Sequence, residues 1–279
     1  MTIAITGATG QLGRLAIAHL QTLTDPAQII ALARDPAKAA NLGVTTRAFD
    51  YTAPDSTALK GVDVLALVSS SDFNDRVGQH TNVINAAKAA GVWRIIYTSI
   101  QQADVSPMLI AADHKATEAA IHAAGLPATI LRNGWYTENW TSNLAGAISA
   151  GAMIGAAGDA PFTPATRADY AQALAVVAAG DGHEGQVYEL GGDQTITLAD
   201  IAAEVSRQTG KDIPYNNLPG AVYQGILESF GLPAGFATVL VDVDIKAQGG
   251  WLADTSGTLG RLLGRPTTPL SEAVRVALG

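Results

Sequence analysis

The chain has 279 residues, 48% of them hydrophobic and 15% charged, with a net charge of −8 and no cysteine. This composition excludes a disordered chain, and an acidic balance without a Lys/Arg run speaks against nucleic acid or an anionic membrane as main partner. Disulfides, thiolate nucleophiles and Cys-ligated metals are excluded as well. No apolar stretch approaches the roughly 18 residues of a membrane span. No basic segment leading into an apolar one opens the chain, so no leader is expected and a cytoplasmic enzyme fits.

The apolar run Ile3-Ala4-Ile5 reads as a buried strand. The turn Gly7-Ala8-Thr9-Gly10-Gln11-Leu12-Gly13 follows, and then Leu15, Ile17, Ala18 and Leu20 recur at helical spacing. Strand, glycine turn and helix form the setting of a dinucleotide fingerprint, here spaced G-x-x-G-x-x-G rather than G-x-G-x-x-G. Gly7 allows the sharp turn, Gly10 lets backbone approach a pyrophosphate, and Gly13 lets helix and strand pack closely. The helix start offers free N–H groups and a positive dipole end to the phosphates.

Further strands are predicted over residues 28–33, 43–49, 62–68, 93–99 and 128–131. Short helices follow Asp35-Pro36 and Asp55, and longer ones span 76–90 and 113–124, closed by Gly91 and Gly125. Strands separated regularly by helices imply right-handed βαβ units. The expected architecture is α/β, a Rossmann-type doubly wound parallel sheet with a smaller C-terminal α/β lobe. Residues 1–132 are expected to form the dinucleotide-binding core and 133–279 a smaller substrate-side lobe, with some segments returning to the core. In the lobe, 151–158 reads as strand and turn, and 186–190 as a strand that can return to the sheet. Helices are predicted over 166–179, 198–209, 219–231 and 233–250, and a last one after Pro269 with Ser271 as cap. These pieces are too few for a second independent core.

The second strand ends Leu32-Ala33-Arg34-Asp35. An NAD site places an acid about 20 residues past the glycines, whereas an arginine there suits a 2′-phosphate. Arg34 therefore favours NADP, with Arg14 as a second contact; the alternative is a solvated strand-end arginine. Asp50 either hydrogen-bonds the adenine amino group or starts a turn before Tyr51 and Thr52. Ser69-Ser70-Ser71 and Tyr97-Thr98-Ser99 put small or hydroxylated residues at strand ends, where α/β ligands sit. Neither an H-E-x-x-H nor a G-x-S-x-G pattern occurs, so no metal and no acyl-transfer chemistry are expected. His80 and His19 read as packing or surface residues within helices. His114 is either a direct participant or an ordinary residue near a helix start. The segment Asn133-Gly134-Trp135-Tyr136-Thr137-Glu138-Asn139-Trp140 makes a poor core strand but a good lining for a flat aromatic ligand. Its aromatics could equally pack the two lobes together. Arg167 is a further candidate for cofactor contact.

These residues resemble the NmrA-like group of atypical short-chain dehydrogenase/reductases, and within it the bacterial NADPH-dependent quinone reductase branch. The resemblance covers nearly the whole chain. It rests on Gly7 to Gly13, Ser69 to Ser71, the stretches 82–91 and 131–139, Gly155-Ala-Ala-Gly-Asp159, Ala165-Thr-Arg-Ala-Asp-Tyr170 and Gly264-Arg-Pro-Thr-Thr268. It implies that Gly7, Ala8, Thr9, Gly10, Gln11 and Leu12 hold the pyrophosphate and Arg34 the 2′-phosphate. Trp135 to Trp140 and Arg167 would form further parts of an NADPH site. A relative in the group reduces triphenylmethane dyes. Ordinary short-chain reductases carry Tyr-x-x-x-Lys, but here Ala111 stands four residues before Lys115. A quinone is a strong hydride acceptor, so positioning outweighs a dedicated acid, and the proton would come from water or a hydroxyl such as Tyr136. The expectation is an NADPH-dependent reductase of a small-molecule quinone, with a homodimer left open. Its rivals are an NADP(H)-sensing regulator without catalysis and a reductase of a dye, an enone or an imine.

Overall fold

A computed structural model describes residues 1–279. The chain runs β1 (Ile3–Ile5), α1 (Gln11–Leu23), β2 (Ile29–Ala33), β3 (Thr45–Ala48), β4 (Val64–Leu67), α2 (Arg76–Ala89), β5 (Arg94–Ile100), α3 (Leu109–Ala124) and β6 (Ala128–Asn133). It continues with α4 (Glu138–Thr141), α5 (Leu144–Ala150), β7 (Met153–Gly155), α6 (Arg167–Ala179), β8 (Val187–Leu190), α7 (Leu198–Thr209), β9 (Tyr215–Asn217), α8 (Gly220–Ser229), α9 (Ala234–Ala247), α10 (Thr258–Leu263) and α11 (Leu270–Leu278). Asp35 and Asp55 each cap a 3-10 turn, accepting from Ala37 N and Thr57 N.

Seven parallel strands form one sheet in the order β3-β2-β1-β4-β5-β6-β8. Alternation along each strand sorts side chains into two apolar layers. Ile3, Ile5 and Ala66 pack with α1 and α6 on one face, while Ala4, Leu65 and Tyr97 pack with α2 on the other. Both faces are covered, so the inner strands are continuously buried. The chain reverses direction in the sheet between β1 and β4, which opens a crevice at their carboxyl ends.

Residues 186–190 do return to the sheet: β8 pairs with β6, Asn133 opposite Leu190. That pairing carries β6 two residues beyond its expected end and fixes Asn133 at the crevice. The lobe is more substantial than its fragments suggest. It holds a buried cluster of 19 residues that includes Leu144, Phe162, Ile201, Leu252 and Val274. The cluster is not independent, because Ile100, Ala103, Met108 and Ala111 from the first half belong to it.

One helix start and one helix cap differ from expectation for one physical reason. The helix read from Asp113 begins at Leu109; the last helix begins after Pro269 as expected, at Leu270, but with no cap from Ser271. In both, a remote side chain accepts from the first N–H. Asp242 Oδ2 receives Leu109 N at 2.7 Å, and Gln194 Oε1 receives Leu270 N at 2.8 Å. Caps supplied across the fold leave no local signal.

Candidate active site

The crevice is a single cleft of about 1050 Å³, enough for a dinucleotide and a small acceptor. Its floor is the glycine turn. Gly7 takes φ +59°, and a Cβ on Gly13 would lie 2.4 Å from Gly7 O and 2.9 Å from Ala8 Cα. The turn and helix therefore touch backbone to backbone, as the glycine spacing requires. The α1 N-cap, Gly10, brings no side-chain acceptor, so the first-turn N–H groups of α1 stay free for an anion. Gly7, Thr9, Gly10, Gln11 and Leu12 line the cleft; the Ala8 side chain turns into the core.

At one end, Arg34 lines the cleft without a hydrogen bond or ion pair of its own, and Lys38 stands beside it. Arg14 is committed elsewhere. Its guanidinium donates to Thr9 O at 2.9 Å and Lys38 O at 2.8 Å, tying the glycine turn to the segment after β2. Asp50 starts the turn, its Oδ1 accepting from Thr52 N at 2.9 Å, and it also lines the cleft.

The middle of the cleft is built from strand ends. Ser69 N donates to Thr98 Oγ1 at 2.9 Å and Ser70 N to His80 Nε2 at 2.8 Å. His80 is thus a buried packing residue that fixes the Ser69–Ser71 loop. An acceptor at Nε2 puts its proton on Nδ1, which faces Thr117 Oγ1. Burial, with help from the Arg76 charge, pushes its pKa down to about 3. Ser69 Oγ and Asn133 Oδ1 are buried without partners at the end of β4 and at the end of β6. Such orphaned atoms fit a ligand rich in hydroxyl and amide donors. Free N–H groups, unpaired cations and orphaned acceptors together suit a phosphorylated dinucleotide.

Beneath this floor lies a charge cluster that sequence reasoning missed. Arg132, nearly buried, binds Glu118 Oε2 at 2.7 Å, Asp104 Oδ1 at 2.8 Å and Glu189 Oε1 at 3.0 Å. Burial raises the Glu189 pKa against the pull of its partners. Ser99 Oγ donates to Glu118 Oε1 at 2.5 Å. Lys115 is turned away from the cleft and donates to Asp104 O at 2.8 Å.

The lobe supplies the facing wall. Trp135, Tyr136, Glu138 and Asn139 line the cleft. The Arg167 guanidinium lies 4.9 Å from the Tyr136 ring centroid and donates to Asn139 Oδ1 at 2.9 Å, while Arg167 N donates to the Glu138 carboxylate at 2.9 Å. Burial raises the Tyr136 phenol, whose oxygen has only a long 3.5 Å contact from Asn133 Nδ2. Thr137 and Trp140 do not reach the cleft. Thr137 N donates to Ala165 O at 3.0 Å, and Trp140 packs edge-on against Phe162 with ring centroids 5.0 Å apart. The segment's aromatics thus divide: Trp135 and Tyr136 line the cleft, and Trp140 packs within the lobe.

The far end is apolar. Phe73, Ile110, Phe236, Val239 and Leu240 line it, with the Phe73 and Phe236 rings 5.2 Å apart. Three come from α9 at i, i+3 and i+4. That spacing is visible in the sequence; which way the face turns is not. His114 lies here too, one turn after Ile110, with Nδ1 2.7 Å from Tyr97 Oη. Arg76 sits behind Phe73, 4.4 Å from its ring centroid, and donates to Ser70 O at 2.8 Å.

A model of the NmrA-like family matches residues 1–244. The chain belongs to that family. It is 50% identical over 277 residues to quinone oxidoreductase 2 of Escherichia coli, covering 98% of this chain and 97% of the relative. Among solved structures, the E. coli NADPH-dependent quinone oxidoreductase complexed with NADPH superposes with a TM-score of 0.96 at 48% identity, over 100% of each chain. A Citrobacter sp. triphenylmethane reductase complexed with NADP(H) gives a TM-score of 0.94 at 35% identity, over 99% of this chain and 100% of the other. An NmrA-like chain with this doubly wound sheet thus aligns end to end with oxidoreductases. No helix is long and apolar enough to cross a membrane.

Proposed function

We propose that this chain is an NADPH-dependent quinone reductase working without a Tyr-x-x-x-Lys pair. One observation carries the reading. A single cleft runs from the free cations Arg34 and Lys38, past the uncapped start of α1, to an apolar end closed by Phe73 and Phe236. Cofactor and acceptor therefore share one chamber, as direct hydride transfer requires.

Gly7 to Leu12 would hold the pyrophosphate, Arg34 and Lys38 the 2′-phosphate, and Asp50 the adenine. Ser69, Ser70 and Asn133 would meet ribose and carboxamide from the floor. Tyr136, Glu138, Asn139 and Arg167 close the opposite wall, and Trp135 borders the acceptor. When bound, NADPH supplies a hydride from its nicotinamide. The chain orients both rings and keeps bulk water from the apolar end. Lys115 is turned outward and Ala111 is buried, so no proton donor of the usual kind stands at the acceptor.

NADPH oxidation in the presence of 1,4-benzoquinone tests the reading, with NADPH binding measured separately. Quinone-dependent oxidation above background is expected. Tight NADPH binding without it would overturn the enzyme and favour a cofactor-sensing regulator. A panel of a quinone, a triphenylmethane dye, an enone and an imine at equal NADPH identifies the acceptor class. Faster turnover of any other class would displace quinone.

A further inference from the structure

Reduction leaves negative charge on a quinone oxygen, and Ser99, Asn133, Arg76, Tyr136 and His114 are polar side chains of the cleft that could meet it. Tyr136 stands on the facing wall, against the Arg167 guanidinium. Ser99 has spent its proton on Glu118. Asn133 Nδ2 faces Tyr136. Arg76 donates to Ser70 O and lies 3.4 Å from Asp113 Oδ2. His114 remains, only 5% exposed and on the cleft wall. Its Nδ1 meets Tyr97 Oη, while its Nε2 has no partner in the protein and is not among the atoms sealed from solvent. Nε2 is therefore the ring nitrogen open to the cleft.

Tyr97 favours one tautomer. The phenol is fully buried, its short contact is His114 Nδ1 at 2.7 Å, and the Thr117 and Ser69 hydroxyls are the other polar groups near it. A neutral buried phenol donates where it can. Nδ1 then accepts, and the imidazole proton sits on Nε2. Burial, with the charge of Arg76 and the neighbouring His80, holds the His114 pKa well below its usual value. The ring is a neutral N–H donor at physiological pH, fixed in direction.

We propose that His114 is the electrophilic catalytic residue of the site: its Nε2–H, oriented by Tyr97, donates to the quinone oxygen that becomes anionic, within the positive field of Arg76. This rests on the quinone reductase reading above. A preorganised donor aimed at developing charge is the economical substitute for a general acid. The quinone accepts a hydride, two electrons and one proton, from NADPH, which leaves as NADP⁺. The hydroquinone monoanion then takes one proton from water. His114 keeps its own proton throughout, so no imidazolate forms and no further donor is needed. Tyr97 acts only through His114 and is a positioning residue.

Three readouts test this on the full chain. With 1,4-benzoquinone, His114→Leu should lower kcat at least about tenfold, at unchanged NADPH affinity and melting temperature. The same variant with NADP⁺ should bind 4-nitrophenolate, a stable stand-in for the monoanion, at least about tenfold more weakly. His114→Gln, which keeps an N–H at similar reach, should recover most of both. Imidazole ¹⁵N spectra of the wild-type protein should show one Nε2–H tautomer, and Tyr97→Phe should turn it into a mixture and lower kcat with little change in KM. A wild-type Nδ1–H tautomer, or a folded His114→Leu variant within twofold of wild type in both turnover and 4-nitrophenolate affinity, overturns the proposal. Wild-type protein inert toward quinones overturns the reductase reading and the proposal with it. The wild-type assay separates that outcome from the others.

Discussion

Gly13→Ala tests whether the contact between α1 and the glycine turn sets cofactor affinity. On helix propensity alone, alanine should stabilise α1 by about 1 kcal/mol. The added Cβ, however, would stand 2.4 Å from Gly7 O and 2.9 Å from Ala8 Cα. Non-bonded carbons prefer about 3.5–4.0 Å. Both obstacles are backbone, so no side chain can swing aside and the helix start must retreat by roughly 1 Å, an overpacking penalty of about 1–3 kcal/mol or more. The net loss is then about 1 kcal/mol, or roughly 2–4 °C for a chain of this size. The same retreat pulls the free α1 N–H groups away from the pyrophosphate. NADPH affinity should fall about tenfold, which corresponds to roughly 1.4 kcal/mol. Gly225→Ala is the matched control: it lies in α8, where nothing stands within 4 Å of the new Cβ, and no residue of that helix is buried. It should raise stability by about 0.5–1 kcal/mol and leave NADPH binding alone. Thermal melts and fluorescence titrations of both variants decide the matter. A Gly13→Ala protein that melts no lower than wild type and binds NADPH equally well refutes the reasoning.

Other outcomes follow from the same geometry. Arg34→Ala should weaken NADPH far more than NADH in parallel titrations; equal weakening would remove Arg34 from the 2′-phosphate site. Arg132→Met should cost about 3–5 kcal/mol in denaturant unfolding, because Glu118, Asp104 and Glu189 lose their shared cation. Asp244 is lifted to about 6 by burial, only partly opposed by the Ala156 N–H. The folded chain thus binds this proton more tightly than the unfolded chain, so the residue's destabilising effect grows as pH rises from about 4 to 6 and is complete above. Asp244→Asn should be more stable than wild type at pH 7 by about 1–3 kcal/mol, and the two melting curves should converge near pH 4.

What could be read from the sequence was local. The strand-turn-helix at residues 3–23, the Asp35 and Asp55 caps and the Gly91 and Gly125 stops announce themselves because each signal lies within a few residues of its effect. The start of α3 and the cap of α11 did not, since Asp242 and Gln194 supply them from distant parts of the chain. Likewise α4, α5, α10 and β9 are too short for periodicity to register. In the cleft, residues on strand ends were visible as candidates because every parallel strand delivers its end to the same edge. Phe236, Val239 and Leu240 were not, because only the packing of α9 turns them inward, and Phe73 lies in the loop before α2, where no periodicity marks it. Trp140 and Trp135 look alike in the sequence; a turn of α4 sends one into the lobe's core and leaves the other at the cleft.

The return of the chain to the sheet bears on how such a protein can be re-engineered. α6 packs against α1, and β8 closes the edge of β6. Residues 167–190 therefore belong physically with the nucleotide half, although they come late in the sequence. A chain stopped after residue 132 would leave β6 as a bare edge and α1 uncovered, and should aggregate rather than bind NADPH. Transplanting the lobe's side of the acceptor wall from one relative to another then calls for two separate grafts, before and after that stretch, with Phe73, Ile110 and His114 exchanged as point substitutions. The lobe's share of the acceptor wall is thus a pair of insertions hung from one rim, facing Phe73, Ile110 and His114 of the first half.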